Sequence, residues 1–378
     1  MKKEYRNVLA EAGYSEKEIE MRLQQLFEEI FYGPERFYFP AGEDMGYLED
    51  TGNLDVRTEG MSYGMMMCVQ MDRQAEFDRL WKWTRTYMYM SSGVNRGYFA
   101  WSVSPEGIPN ASGPAPDGEE YFAMALLFAS HRWGDREGIF DYGGQAREIL
   151  RTVLHQEDDG TGRNMWDLNN HLIRFIPDRD FTDPSYHLPH FYELFALWAD
   201  ERDRSFWKEA ARASRAFLQK ACHPVTGLTA EYTTFDGTPY SLEQEIFGRH
   251  DWYYSDAYRT IAAIGLDYEW FGRDQGYDWE CETAGHLQTF FCETAGDHPY
   301  AIYTIDGTRI GEDALHPVGM IAANAQASLA GNRPLSDHAL TCIRCLWETP
   351  LRKGTRRYYD NCLYFFAFLA LSGHYRIY

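Results

Sequence analysis

The sequence predicts an all-α fold, an (α/α)6 barrel of about twelve helices in two concentric layers. Three observations carry it. Apolar residues recur at i, i+3, i+4 and i+7 in many segments, whereas alternating strand-like patterns are few and short. The helical segments are of two kinds, some apolar nearly all round and some charged along one side, as buried inner and wetted outer helices would be. No residue signature repeats at a fixed period, which disfavours a helical solenoid, the alternative all-α architecture.

Taken in order, the first segment spans 15–32, where Ser15 and Glu18 have capping-box spacing ahead of Ile19, Leu23, Leu26 and Ile30. Segment 57–71 is rich in methionine, and 75–90 carries Phe77, Leu80, Trp81 and Trp83 on one face. Segment 118–132 is apolar nearly all round, as is 357–373 from Cys362 to Leu371; 203–221 has one charged side. The remaining segments are 142–155, 186–199, 252–267, 281–294, 316–330 and 335–347. Paired as six hairpins they close a barrel whose inner-helix starts and connecting loops form a cleft at one end, where functional residues are expected. No Ser/Gly/Pro-rich linker interrupts the chain, so residues 1–378 read as one domain.

A chain of 378 residues can bury about three quarters of its unfolded surface without disulfides or metals. Its 36 Lys+Arg against 57 Asp+Glu give a net charge of -21, which repels phosphate backbones and anionic lipid, so no nucleic acid and no membrane is expected as a partner. The 27 Tyr and 11 Trp are numerous for a chain of mean hydropathy -0.52 and provide flat amphipathic platforms as well as core. Seven irregularly spaced Cys argue against a disulfide framework. With the charged start Met1-Lys2-Lys3-Glu4-Tyr5 they point to a cytoplasmic protein; a monomer is expected.

Three stretches place acids where a loop becomes a helix amid aromatic or apolar residues. In Thr58-Glu59-Gly60-Met61-Ser62-Tyr63-Gly64, a half-buried Glu59 would resist ionisation and hold a proton near neutrality. It could equally be a first-turn acid favoured by the helix dipole. Pro116-Asp117-Gly118-Glu119-Glu120 delivers acids to the start of the most apolar helix, where Asp117 is also a good N-cap. In His250-Asp251-Trp252-Tyr253-Tyr254-Ser255-Asp256-Ala257-Tyr258-Arg259, Asp256 could act on a substrate, cap the helix or pair with Arg259.

These runs, in this order and spacing, resemble glycoside hydrolase family 8 across essentially the whole chain. Asp183-Pro184-Ser185-Tyr186-His187-Leu188-Pro189-His190, Leu315-His316-Pro317-Val318-Gly319 and Arg357-Tyr358-Tyr359-Asp360-Asn361 narrow the likeness to its members that release xylose from the reducing ends of xylo-oligosaccharides. The resemblance implies an (α/α)6 barrel and hydrolysis with inversion. By position, the proton donor falls on Glu59 and the base on Asp256. Asp117 takes the place of the carboxylate that grips the sugar before the cut, and Tyr186 that of a tyrosine sharing the attacking water. It implies neither metal nor cofactor, and an endo-acting family 8 hydrolase or a non-catalytic sugar-binding barrel is the competing expectation.

Sugar-stacking candidates are Trp101, Tyr254, Tyr358 and Tyr359, with Tyr98 and Trp166; Arg57 and Arg259 flank the two acids and could hold a carboxylate or a hydroxyl. His316, held extended by Pro317, is expected in a stiff kink that closes the cleft at the reducing end, the alternative being that it caps the following helix. Cys342-Ile343-Arg344-Cys345 lacks a second pair at zinc-ribbon distance and reads as helix, so buried thiols are expected. His187 and His190 read as satisfied cleft histidines, and Asp158-Asp159-Gly160 lacks the ligand pattern of a calcium loop.

Overall fold

A computed structural model describes residues 4–160, 162–241, 249–296 and 299–378. Among the described residues, twelve helices reach ten residues or more, and they alternate outer, inner, outer, inner along the chain. The outer helices are α1 (Glu16–Phe31), α3 (Gln74–Tyr87), α5 (Tyr142–His155), α7 (Arg204–Ala221), α9 (Asp278–Thr289) and α11 (Asp337–Glu348). The inner ones are α2 (Thr58–Gln70), α4 (Pro116–Trp133), α6 (Pro189–Trp198), α8 (Tyr258–Asp267), α10 (Pro317–Gln326) and α12 (Arg357–Leu371). Each inner helix packs on the next, and α12 returns to α2, which closes the ring as an (α/α)6 barrel.

The split follows from sequence. Helix α12 buries every residue from Tyr358 to Leu371, whereas α7 buries only the face bearing Trp207, Ala210, Ala211, Ser214, Phe217 and Leu218. Aromatic rings fill the barrel axis: Tyr63 meets Tyr121 edge-on at 4.7 Å and Phe366 at 5.1 Å, and Tyr121 meets Phe191 at 5.0 Å. Much of the aromatic content is therefore core, including two residues expected to stack on substrate. Tyr98 is buried and its hydroxyl donates to the Arg163 carbonyl at 2.9 Å, and Trp166 stands edge-on to Trp207 at 5.0 Å. Both ring faces are covered by protein and unavailable to a ligand.

Pro116, Pro189 and Pro317 each occupy the first helical position of an inner helix, where a missing N–H costs no hydrogen bond. Segments 186–199 and 252–267 become helical later than their periodicity predicts. Tyr186 belongs to a separate 3-10 turn, Pro184–Tyr186, and Leu188 is held out of the helical region by Pro189. Tyr253 pairs with Tyr303, and Ser255 takes φ 39°, so α8 begins only at Tyr258. The strands form three two-stranded antiparallel sheets: the hairpins β1–β2 (Tyr38–Ala41 with Met45–Leu48) and β5–β6 (Ala301–Tyr303 with Arg309–Asp313), and β3–β4 (Val56–Arg57 with Ser102–Val103), which pairs across α2 and α3.

On the far side of α8 lies a buried charge cluster. Both Asp267 oxygens accept from Arg215, at 2.7 and 2.8 Å, and Arg215 also binds Glu193 at 2.6 Å. Burial opposes ionisation of Asp267, but Arg215 outweighs it and holds the carboxyl below its usual range. Glu280 beside it is pushed up to about 11 by burial and then by Asp267. Native Glu280 therefore keeps a proton that the unfolded chain releases, so it lowers stability progressively as pH rises from the unfolded value of 4.5 towards 11. Glu280→Gln, which cannot ionise, should flatten that part of the stability curve; thermal melts of both proteins between pH 6 and about 10 check it, and parallel curves would exclude the effect.

Candidate functional site

The N-terminal ends of the inner helices open into a cleft of about 450 Å³. Glu59 stands in the first turn of α2 and Asp117 in the first turn of α4, while Asp256 lies in the 3-10 turn that leads into α8. Glycines bring these elements together. A Cβ on Gly118 would lie 2.5 Å from the Thr58 Cβ, so Asp117-Gly118 lets α4 approach α2 closely. A Cβ on Gly60 would lie 2.5 Å from the Tyr358 hydroxyl, which donates to Glu59 Oε1 at 2.8 Å. The Thr58 N–H donates to the Trp101 carbonyl at 3.0 Å and ties the start of α2 to the β4 side of the cleft.

Arg259 is the hub. Its Nη1 donates to Glu59 Oε2 at 3.0 Å, to Asp117 Oδ2 at 3.0 Å and to the Tyr63 hydroxyl at 2.8 Å, and its Nη2 pairs with Asp256 Oδ2 at 3.3 Å. One buried guanidinium thus holds three carboxyl groups and keeps Glu59 and Asp256 on different nitrogens. Burial alone pushes Glu59 upward most; Asp256 and Asp117 add to it, Arg259 and Arg57 oppose it, and the result is about 8. Asp117 is also raised by burial, against Arg259. Asp256 differs in setting, with a side chain 34% exposed to the cleft. The site therefore offers a proton-holding acid opposite a solvent-facing carboxylate, both beside Tyr186, whose ring centroid is 5.6 Å from the guanidinium.

Each candidate named from sequence can now be placed. Arg57, Trp101, Tyr186, Tyr254, His316, Tyr358 and Tyr359 line the cleft with the three acids. Arg57 binds Asp55 at 3.0 Å and Asp50 at 3.2 Å and lies 5.3 Å from the Trp101 ring centroid, so it braces that ring. The Tyr359 hydroxyl donates to the Ser255 carbonyl at 3.2 Å and steadies the strained residue before Asp256. Glu119 and Glu120 leave the cleft: Glu119 accepts from the Phe99 N–H at 3.0 Å, and Glu120 accepts from the Tyr192 hydroxyl. His187 and His190 are core rather than cleft residues. His187 bridges the hydroxyls of Thr182 and Ser214 at 2.9 Å, and burial pushes it down to about 3 and His190 to about 4.

His316 does not cap its helix. Its Nδ1 contacts Asp360 Oδ2 at 2.9 Å, and it is Asp360 Oδ1 that accepts the Gly319 N–H, at 2.8 Å. Asp360 also accepts from Arg352, whose Nη1 reaches the Leu315 carbonyl at 2.6 Å, so the kink is locked from both sides. A carboxylate can only accept, which makes Nδ1 the donor; in the neutral ring Nε2 is then an acceptor, on a side chain that lines the cleft.

Two further acids went unassigned in the sequence reading. Glu231 accepts from the Asp256 N–H at 3.2 Å and from His250 at 2.8 Å, and burial pushes it well up. Asp183 turns one oxygen to the Ser185 N–H at 2.7 Å and is raised by burial and then by Asp256. Asp183 sits in a recognisable motif; Glu231, isolated in Thr229-Ala230-Glu231-Tyr232, has no sequence signal. Among the described residues no group of three or more His, Cys, Asp or Glu is arranged to hold a metal ion.

The model of the family described as Glycosyl hydrolases family 8 matches residues 43–372. The chain belongs to family 8. Among its relatives, the reducing-end xylose-releasing exo-oligoxylanase Rex8A of Paenibacillus barcinonensis is 55% identical over 99% of this chain and 97% of that protein. A reducing end xylose-releasing exo-oligoxylanase of Bifidobacterium adolescentis is 52% identical over 98% of this chain and 96% of its own. The solved structure of Rex8A complexed with xylose superposes with a TM-score of 0.94 at 55% identity, covering 99% of this chain and 97% of that one. Endoglucanases are more distant; Endoglucanase 2 of Ruminiclostridium josui is 28% identical over 74% of this chain and 56% of that protein.

Proposed function

We propose that this glycoside hydrolase releases xylose from the reducing end of β-1,4-xylo-oligosaccharides with inversion of configuration. Glu59 gives its proton to the leaving glycosidic oxygen, and Asp256 takes one from the attacking water, which Tyr186 shares. Asp117 holds the sugar on the non-reducing side of the cut. Inversion needs about 6.5–9.5 Å between the two carboxyl groups so that water fits between them. The guanidinium interposed between Glu59 and Asp256 supports that spacing over direct contact.

The observation that carries the reading is the locked His316. A terminal xylose has a free anomeric hydroxyl that can donate to Nε2, whereas an internal residue or a methyl glycoside has no such donor and meets the wall. A site built around one hydrogen bond rejects analogues that lack it by far more than shape alone. Reducing-end-labelled xylotetraose should therefore lose its label as free xylose, and xylotriose should be cut at least about a hundredfold faster than its methyl β-glycoside. His316→Ala should narrow that ratio. Equal rates in the parent would make the protein an endo-acting member of its family. The first-formed reducing end, followed by NMR, should be α; a β product would require a covalent intermediate. The proposed state is a cytoplasmic monomer; seven free cysteines support the reducing compartment, fractionation tests the location and light scattering the oligomeric state.

A further inference from the structure

Asp256 hangs from a peptide that the chain holds out of its relaxed geometry. Ser255 takes φ 39°, a left-handed value that a residue with a side chain adopts only where its surroundings enforce it. The peptide joining Ser255 to Asp256 is gripped at both of its polar atoms. From α12 the Tyr359 hydroxyl donates to its carbonyl oxygen at 3.2 Å, and from the 229–233 segment Glu231 Oε1 accepts its N–H at 3.2 Å. An N–H at the start of a 3-10 turn has no acceptor within that turn, and here Glu231 supplies it from outside.

Glu231 is itself fixed. Its backbone N–H donates to the Trp252 carbonyl at 3.0 Å and the Tyr232 N–H to the His250 carbonyl at 2.9 Å, which pins residues 231–232 alongside 250–252. The His250 ring stacks on Tyr232 at 4.2 Å and sets its Nδ1 2.8 Å from Glu231 Oε2. Both carboxyl oxygens are therefore engaged, and Glu231 is only 4% exposed although it belongs to the cleft wall. Whether the proton between Oε2 and Nδ1 sits on the acid or on the imidazole, Oε1 remains an acceptor for Asp256.

We propose that Glu231, backed by His250, is a positioning residue for the hydrolysis: it locks the Ser255–Asp256 peptide in its strained setting and so fixes where the Asp256 carboxylate meets the attacking water. The inference rests on the reading of Asp256 as the base. The Asp256 side chain, a third of it exposed, has one ion pair, to Arg259 at 3.3 Å, and little packing to hold it, so the backbone has to aim it. A peptide gripped at one polar atom can rotate about the bonds on either side, and the side chain turns with it. Misplacing a reacting group by about 1 Å can cost about a hundredfold in rate.

Two variants separate reach from charge. Glu231→Asp keeps the charge but is one methylene too short to meet both the Asp256 N–H and His250. Glu231→Gln gives up the charge, keeps an oxygen for the Asp256 N–H and can donate from its amide nitrogen to His250. On xylotriose, Glu231→Asp should lower kcat at least about tenfold with KM within about twofold, and Glu231→Gln should recover most of that loss. In the Asp256→Asn background no base is left to aim, so Glu231→Asp should there cost no more than about twofold. His250→Phe, which keeps the ring on Tyr232 and drops the bond to Glu231, should lower kcat in the same direction by a smaller factor; thermal melts establish that each variant is folded. Asp256→Asn at a near-parental rate would strike the base reading itself. With Asp256→Asn inactive, a parental kcat in Glu231→Asp, a loss confined to KM, a deficit shared in full by Glu231→Gln, or an equal loss in the Asp256→Asn background would overturn the positioning role alone, and a parental rate in His250→Phe would remove His250 from it.

Discussion

Glu59→Ala and Asp256→Asn should each lower kcat on xylotriose by about 10²–10⁴-fold, with little change in KM, because general acid and base work is realised in the transition state. The two losses should differ in kind. Glu59, raised to about 8, is protonated at neutrality, so the parent's rate should fall as pH climbs through that value, and Glu59→Ala should lose this alkaline limb. Fluoride departs with little help from a proton donor. On a β-xylobiosyl fluoride, Glu59→Ala should recover most of its deficit, whereas Asp256→Asn, still unable to activate water, should not. Recovery of both variants would remove Asp256 from the role of base, and a variant keeping more than about a tenth of kcat on xylotriose would remove that residue from the mechanism.

The barrel was legible because its signals are local. Apolar spacing marks α4 and α12 as buried all round and α7 as one-sided, and proline marks the starts of α4, α6 and α10. The acids at the inner-helix mouths were legible for the same reason. What joins them was not. Arg259 reaches Glu59 across 200 positions and Asp117 across 142, and its sequence neighbourhood offered only the pair with Asp256. Glu231 supports Asp256 through a backbone N–H 25 residues away, and His316 is fixed by Asp360 44 residues on, so neither role has a local signature. Tyr98 and Trp166 mislead in the opposite sense: a ring that fills core and a ring that stacks on sugar are the same residue type, and only burial separates them.

The second large effect is expected at Arg259. The residue touches no bond that breaks, yet three carboxyl groups depend on its charge, and it stays ionised because Asp256, Tyr63, Tyr359 and Glu59 outweigh the burial that opposes it. Removing one partner of a buried ion pair costs about 3–5 kcal/mol through the charge left unpaired. Arg259→Met should accordingly reduce kcat/KM by at least about two orders of magnitude, since the carboxyl groups relax by taking up protons or turning away. The sign of the accompanying pH shift is fixed. Arg259 is the main influence holding Glu59 and Asp117 down, so without it both rise further, and the alkaline limb of the residual activity should move above about 8. Arg259→Lys restores the charge without the fork that reaches Glu59 and Asp256 from separate nitrogens; it should return the limb towards its parental position while leaving much of the rate deficit. Circular dichroism and thermal melts of both variants separate a misfolded barrel from a folded one with an altered site. A folded Arg259→Met with unchanged rate and an unmoved limb would show that the guanidinium holds the acids in the resting structure alone.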